Sequence, residues 1–331
     1  MEINPQIFNK KNIILSGGLG FIGSNLAIRL VEYGAVVTII DSLIPEYGGN
    51  LWNIEPIKNL VKVNISDVRD EHSIHHLVQG QDYFFNLAGQ TSHLDSMYNP
   101  YKDLEINSKA QLSILEACRK YNPTIKIIFA STRQLYGRPQ YLPVDELHPL
   151  VPVDVNGINK LAGEMYHILY NNVYNIKTAV LRLTNTYGPR MRIKDARQTF
   201  LGIWIRSLIE NNPVTVYGDG SQLRDYNYID DVVDAFLMVA GSDQMNGSIF
   251  NLGSDEPISL QTTAEIMIEE NKAGNYVFQS FPADLMKIDI GDFYSDFTKI
   301  KAKLGWCPKV AFNEGIKNSL EYYRNNYQHY V

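Results

Sequence analysis

Residues 11–23 read KNIILSGGLGFIG, and this stretch decides the fold. Ile13, Ile14 and Leu15 make a short apolar run that ends on Gly17, Gly20 and Gly23. Apolar residues then return at helical spacing through Leu26, Ala27, Leu30 and Val31. The pattern predicts a buried strand, a glycine turn and a helix packed on a sheet. Such a turn lets backbone approach a phosphate, and the helix N-terminus offers it free N–H groups and a positive dipole end. A second apolar run, Val36 to Ile40, ends in Asp41. An acid there accepts hydrogen bonds from ribose hydroxyls and repels a 2′-phosphate. The unit therefore reads as a dinucleotide-binding βαβ element that prefers NAD to NADP.

Outward from this unit, strands and helices alternate. SLIPEYGGN (42–50) is a loop expected to cross the adenosine side. Leu60 to Ile65 reads as a strand, followed by Ser66-Asp67-Val68-Arg69-Asp70. Asp67 can meet an adenine amino group, or Ser66 or Asp67 can cap a helix. Tyr83 to Leu87 is a fourth strand, ending in Ala88-Gly89-Gln90, small enough at its end to leave room for a cofactor. Asp103 to Tyr121 reads as one long helix carrying Asn107; Ile125 to Ala130 is a fifth strand ending in Ser131-Thr132. Gly157 to Tyr174 is another helix and Thr178 to Leu183 a sixth strand. The alternation specifies an α/β, doubly wound parallel sheet.

After Leu183 the texture changes to TNTYGPRMRIKDARQ (184–198). Later pieces are a helix from Phe200 to Glu210, strands at Val214 to Tyr217 and near Ile249 to Leu252, a helix from Asp230 and a last helical region beyond Asn313. They are expected to cap the carboxyl edge of the sheet. Arg190, Arg192, Lys194, Arg197 and Arg224 are available to an anionic substrate, or serve as solvated loop charges.

The 331 residues suffice for one large or two closely joined domains. A formal net charge of −6 and the lack of a basic run argue against nucleic acid as a partner. Cys118 and Cys307 show no metal-ligand spacing, and no apolar run approaches membrane-spanning length. No metal, no membrane association and a reduced, cytoplasmic setting are expected.

These markers together resemble the extended short-chain dehydrogenase/reductases that act on nucleotide sugars, the 4-epimerase and 4,6-dehydratase group. The resemblance runs from about Asn12 to Pro308 and includes NLAGQ, STRQLYG, RLTNTYGPR, VYGDGSQLRDYNYIDDVVDA, NLGS and LGWCP. It implies a Rossmann domain over 1–183, rejoined by about 225–253. A smaller, discontinuous C-terminal substrate-binding domain would take 184–224 and 254–331. It also implies bound NAD that takes a hydride from a nucleoside-diphosphate sugar, usually at C4, and often returns it. Gly17, Gly20 and Gly23 would frame the pyrophosphate with the N–H groups of Phe21 and Ile22. Asp41 would hold the ribose, Asp67 and Val68 the adenine. Ala88, Gln90 and Asn107 would line the cofactor, and Lys160 would bond the nicotinamide ribose. Thr132 matches the hydroxyl residue beside the reacting sugar oxygen; Asn185 and Arg224 match residues that hold the diphosphate. The helices from Asp103 and Gly157 match those that pair across a homodimer's four-helix bundle.

Three positions depart from the pattern. The family base is a tyrosine four residues before the lysine, and in DVNGINK (154–160) that place is Asn156, which cannot titrate. His93 and Asp154 are the candidate replacements; Tyr136, in the family's YG turn, reads as structural. Where the dehydratases carry Asp-Glu, this chain has Arg133-Gln134, so ordinary 4,6-dehydration is disfavoured. Arg133 can hold an anionic group on the sugar or fill the site. Asp289, in DIGD (289–292), stands where relatives often carry an arginine toward the nucleotide, with Lys287 as a possible substitute. The expectation is an NAD-dependent nucleotide-sugar epimerase. The alternatives are a net 4-dehydrogenase or a non-catalytic NAD and sugar-nucleotide binder.

Overall fold

The computed structural model describes residues 3–331. Seven strands form one parallel sheet: β1 (Asn12–Ser16), β2 (Val36–Asp41), β3 (Lys62–Ile65), β4 (Tyr83–Asn86), β5 (Lys126–Thr132), β6 (Lys177–Leu183) and an edge strand at Ile249–Asn251. The order across the sheet is β3-β2-β1-β4-β5-β6 and then the edge strand. The order reverses between β1 and β4, which opens a crevice at the carboxyl ends of the strands. This is the doubly wound, Rossmann-type α/β fold expected.

Alternate strand residues face opposite layers, and both layers are apolar because a parallel sheet is covered on both faces. Ile13, Leu15, Phe85 and Ile128 pack under α1 (Phe21–Glu32) and a helix at Ile229–Ala240, which brings in Leu26, Leu30, Val232 and Phe236. Ile14, Phe84 and Ile127 face the other way, onto Ile114, Leu115, Cys118 and Tyr170. Between the sheet and that second layer lies a buried ion pair. Arg182 donates to Glu164 at 2.5 Å, and the Tyr136 hydroxyl joins it at 2.6 Å from Arg182 Nη1.

The expected helix over 103–121 is interrupted. It comprises Pro100–Leu104, a π turn at Glu105–Lys109 and Ala110–Tyr121. The wide turn lets the Asn107 amide donate both to Gln90 O and to Asp103 Oδ2, at 2.9 and 3.0 Å. The Gln111 amide donates to the Ile106 carbonyl at 3.0 Å. Local rearrangement of this kind marks a helix adapted to a site. The helix expected from Gly157 starts at Val155 and runs to Tyr174, capped by Asp154, whose carboxylate accepts from Gly157 N at 2.6 Å.

The segments beyond β6 build small sheets above the carboxyl edge. Asn185–Tyr187 pairs in parallel with Tyr226–Tyr228, Leu223–Arg224 pairs antiparallel with Ile258–Ser259, and Val214–Tyr217 pairs with Tyr276–Gln279. The last helical region expected beyond Asn313 is the helix Phe312–Asn326, whereas helices Leu260–Asn271 and Thr298–Leu304 were not anticipated. No helix among the described residues is long and apolar enough to cross a membrane.

Candidate functional site

The crevice holds a cleft of about 830 Å³, and its walls begin at the glycine turn. Gly17 has φ +67°, and a Cβ there would meet Ala88 N at 3.0 Å. Gly20 caps α1 without any side-chain hydrogen bond, so the first amides of the helix face the cleft free. Gly23 is the tightest position, because a Cβ there would lie 2.2 Å from Gly17 O and 2.7 Å from Gly18 Cα. Only glycine lets the helix meet the turn this closely. Phe21, Ile22, Asp41, Asp67, Val68 and Ala88 line the same cleft.

The Asp41 carboxylate closes the far side. It accepts from Leu19 N at 3.0 Å and Leu43 N at 2.9 Å, so it braces the glycine turn as well as facing the cleft. Burial pushes its carboxyl up, and those two amides oppose the shift. Asp67 is on the wall, but its oxygens are engaged by Arg69, at 2.8 Å to Nη2 and 2.9 Å to the backbone N. Neither Ser66 nor Asp67 caps the following helix. That role falls to Asp70, which accepts from His72 N at 3.1 Å. Ser66 Oγ is buried there with no partner.

At the opposite end, Lys160 is buried, and its Nζ donates to Ala130 O at 3.1 Å, 5.0 Å above the Phe129 ring. A Cβ on Gly89 would lie 2.9 Å from both Lys160 Nζ and Asn107 Oδ1. Asn107 Oδ1 is buried without a partner. The ammonium retains donors and the amide retains an acceptor behind Gly89, which itself lines the cleft, as a bound ribose and carboxamide would require. The orphaned Ser66 and Asn107 atoms, the uncapped helix and the glycine cradle all fit a dinucleotide. Gln90, like Asn107 and Lys160, lies behind the residues that line the cleft. Its amide is buried and donates to Ser92 O at 2.8 Å, and its carbonyl receives two asparagine amides.

Burial lowers the Lys160 ammonium to about 8, and Asp103 only partly offsets this. The unfolded chain, with an ordinary lysine value of 10.5, therefore holds this proton more tightly between pH 8 and 10.5. In dinucleotide-free protein, stability from this group rises as pH rises through that window. Lys160→Met removes the contribution. The wild-type-minus-variant unfolding free energy is expected to climb by up to about 1.4 kcal/mol per pH unit, read by urea melts at pH 7, 8, 9 and 10.

Around Lys160 sits an element that motif reading missed. The buried Asp103 carboxylate accepts three asparagine amides: Asn107 at 3.0 Å, Asn156 at 3.1 Å and Asn159 at 2.8 Å. Asn156 also donates to Gln90 O at 2.8 Å. Its amide is thus fixed within the protein. The asparagines at 107, 156 and 159 with an acid four residues before the first were the available signal.

His93 opens the helix His93–Tyr98, and its Nδ1 lies 2.9 Å from Asp154 Oδ2 without the alignment of a full hydrogen bond. The ring is 38% exposed and the carboxylate side chain 0%. Burial alone would raise Asp154, but His93, Gly157 N and the Gln134 amide at 2.8 Å hold it below the usual carboxylate range. Asp154 is a braced anion whose carboxylate faces His93. Tyr136 is structural as expected. Its hydroxyl bonds Asn251 at 2.6 Å and Arg182, and burial pushes it up to about 12.

On the substrate side, Thr132 ends β5 and accepts from Gln134 N at 3.2 Å. Arg133 Nη2 donates to Asn185 Oδ1 at 3.0 Å, and the Asn185 amide donates to Asp225 O at 2.9 Å. Arg224 is buried, donates to backbone carbonyls of Leu223 and Gly291, and lies 3.6 Å from Asp289. Asp289 is therefore the counter-ion of Arg224. Lys287 does not stand in for the missing arginine; it is exposed and pairs with Asp284 at 3.2 Å. Arg197, expected at the substrate, instead pairs with Asp95 at 2.9 Å and Asp195 at 3.2 Å. Arg190 and Arg192 are likewise engaged, with Asn53, Asn25 and Asp195. The 190s loop uses its cations to hold itself over the crevice, where Gln198 joins the cleft wall.

Residues 13–253 match the model of the NAD dependent epimerase/dehydratase family. A putative UDP-glucose 4-epimerase of Methanocaldococcus jannaschii is 34% identical over 317 residues, covering 95% of this chain and 99% of that protein. The crystal structure of a UDP-glucose 4-epimerase from Thermotoga maritima with UDP-glucose superposes with a TM-score of 0.87 at 30% identity, covering 96% of this chain and 99% of that one. A Thermus thermophilus UDP-glucose 4-epimerase in complex with NAD gives 0.85 at 29% identity, over 95% and 99%. With the glycine cradle, Asp41 and the Lys160 corner already arranged for a dinucleotide, the chain belongs to the NAD-dependent epimerase/dehydratase family.

Proposed function

We propose that the protein oxidises a ring hydroxyl of a nucleoside-diphosphate sugar, at C4, and restores the carbon with the opposite configuration, so that it is an epimerase. NAD, when bound, supplies the hydride acceptor and returns the hydride. The observation that carries the reading is the buried pair behind Gly89 on the cleft wall. There Lys160 and Asn107 keep unused hydrogen-bonding capacity next to the strand end that bears Thr132. In this reading Lys160 and Asn107 orient the nicotinamide end, and the Thr132 hydroxyl orients the reacting sugar oxygen. Asn185 and Arg224 hold the diphosphate.

Asn156 has no titratable group and its amide is tied to Asp103 and Gln90, so the hydroxyl proton goes elsewhere. His93 takes it on Nε2, while Asp154, facing Nδ1, orients the ring and stabilises the imidazolium. Asp154 acts through His93, as a positioning residue. The rival reading, a non-catalytic binder, is favoured by the locked Asn156 amide.

Incubating purified protein with a nucleotide-sugar panel separates the cases. An isomeric product without net reduction of the nicotinamide supports the epimerase. Persistent reduced-nicotinamide absorbance indicates a net dehydrogenase, and silence across the panel supports the binder.

The helix at Val155–Tyr174 exposes Ile158, Met165, Leu169 and Val173, an apolar stripe at helical spacing on its outer face. We take this stripe as the homodimer surface of a four-helix bundle. Leu169→Glu is expected to convert a dimer to a monomer in light scattering; a wild-type monomer at micromolar concentration contradicts the assignment.

A further inference from the structure

Arg133 makes no ion pair with any carboxylate among the described residues, although Asp225 and Asp289 lie near enough to act on its charge. Its ring-like plane lies over Phe293, 5.3 Å from the centroid, and Nη2 donates to Asn185. Nη1 is buried and has no hydrogen-bond partner. The nearest acids are committed elsewhere. Asp289 pairs with Arg224 and also accepts from Gln222 and Gly291 N, both at 2.9 Å. Asp225 accepts from Thr184 and from Ser295 N. Burial and the neighbouring Arg224 charge press the Arg133 guanidinium down to about 10, the direction expected of a cation awaiting an anion. A buried, unpaired guanidinium N–H is costly unless a ligand answers it.

Its position says which part of a ligand that is. Arg133 directly follows Thr132 on the strand end whose Ala130 lines the dinucleotide cleft and holds Lys160. It contacts Asn185 on the other side, toward Arg224. Arg133 thus sits between the hydride-transfer corner and the Arg224 cation. Resting on the proposed function, a sugar ring occupies that interval, with its diphosphate toward Arg224. We propose that Arg133 recognises a carboxylate carried on the sugar, so that the substrates are nucleoside-diphosphate uronic acids. A carboxylate matches the planar fork of an arginine, and a neutral hydroxymethyl group leaves the N–H unanswered.

The test is binding, measured by calorimetry on the NAD-loaded protein, with UDP-glucuronate against UDP-glucose and GDP-mannuronate against GDP-mannose. For at least one nucleotide the uronate is expected to bind more than about tenfold tighter than its neutral partner. Arg133→Gln should abolish that preference and leave the affinity for the free nucleoside diphosphate within about twofold. Arg133→Lys, which keeps the charge and loses the fork, should retain part of it. Equal binding of uronate and neutral sugar by the wild-type protein overturns the proposal without any variant. An equal loss for diphosphate, neutral sugar and uronate in Arg133→Gln also overturns it, because Arg133 would then serve the diphosphate. Selective uronate binding without isomer or reduced nicotinamide leaves this inference standing and defeats the epimerase reading.

Discussion

Gly23→Ala is expected to yield protein that purifies without dinucleotide and melts at a lower temperature. The added Cβ would stand 2.2 Å from Gly17 O, 2.7 Å from Gly18 Cα and 2.9 Å from Gly17 C. All three are backbone atoms of the turn itself, so no rotamer change relieves the contact. The helix must move away from the turn, and the free amides at its start move with it. Overpacking of this kind costs about 1–3 kcal/mol in stability. Losing the alignment of two amide bonds to a phosphate, at about 1.5–3 kcal/mol each, weakens dinucleotide binding by at least about 10²-fold. Gly20→Ala is the matched control. Its Cβ would meet only Gly17 O, at 3.2 Å, and the milder crowding should leave measurable binding. Dinucleotide released on denaturation, set against thermal melts, distinguishes the two variants. A Gly23→Ala protein that keeps its full complement of dinucleotide contradicts the cradle.

The second large effect concerns the proton. His93→Ala should lower turnover by about 10²–10⁴-fold, the range of a positioned acid–base group, with substrate binding retained. Asp154→Asn should reduce kcat with little change in KM, because it removes the anion facing Nδ1 while the side chain can still cap its helix through Gly157 N. Asn156→Ala is the contrasting case. It takes one of three amides from the buried Asp103 carboxylate and so should lower stability by about 1–3 kcal/mol. It should alter turnover far less than His93→Ala. If Asn156→Ala stops turnover in folded protein and His93→Ala does not, the proton passes through position 156 and the assignment to His93 fails.

Much of the fold was legible because its signals are local. The run KNIILSGGLGFIG contains strand, turn and helix within thirteen residues, and β1, α1 and β2 follow it closely. Gly23 is readable for the same reason: its constraint comes from a turn six residues away. The interrupted helix after Pro100 was not readable, because the π turn at 105–109 is set by Gln90 and Asp103 contacts on Asn107. The short strands past 254 escaped because their pairing partners, such as Arg224 for Ile258, lie in other segments of the chain.

The site divides along the same line. Asp41 and Ala88 come from short motifs and line the cleft, and Lys160, from another, donates to the carbonyl of Ala130 on its wall. Arg197 carried the right charge for a substrate, but Asp95, a hundred residues earlier, had to be seen beside it before its role became plain. Asp289 is the converse case. As a sequence departure it looked like a lost nucleotide contact, and in three dimensions it is the counter-ion of Arg224, while Arg133 Nη1 is left without a hydrogen-bond partner. Asn156, which the family resemblance aligns with a tyrosine, is read differently once its contacts are seen. Its amide is joined to the Asp103 network, donating to Asp103 and to the Gln90 carbonyl.

The most direct test mixes freshly purified, NAD-loaded protein with nucleoside-diphosphate sugars, uronic acids included. Reduced-nicotinamide absorbance and product configuration are followed in the same sample. The account predicts an isomer of one nucleotide sugar, formed without net accumulation of reduced nicotinamide and lost in His93→Ala. Protein that carries no dinucleotide and binds none, or loaded protein that leaves every sugar unchanged, would contradict it.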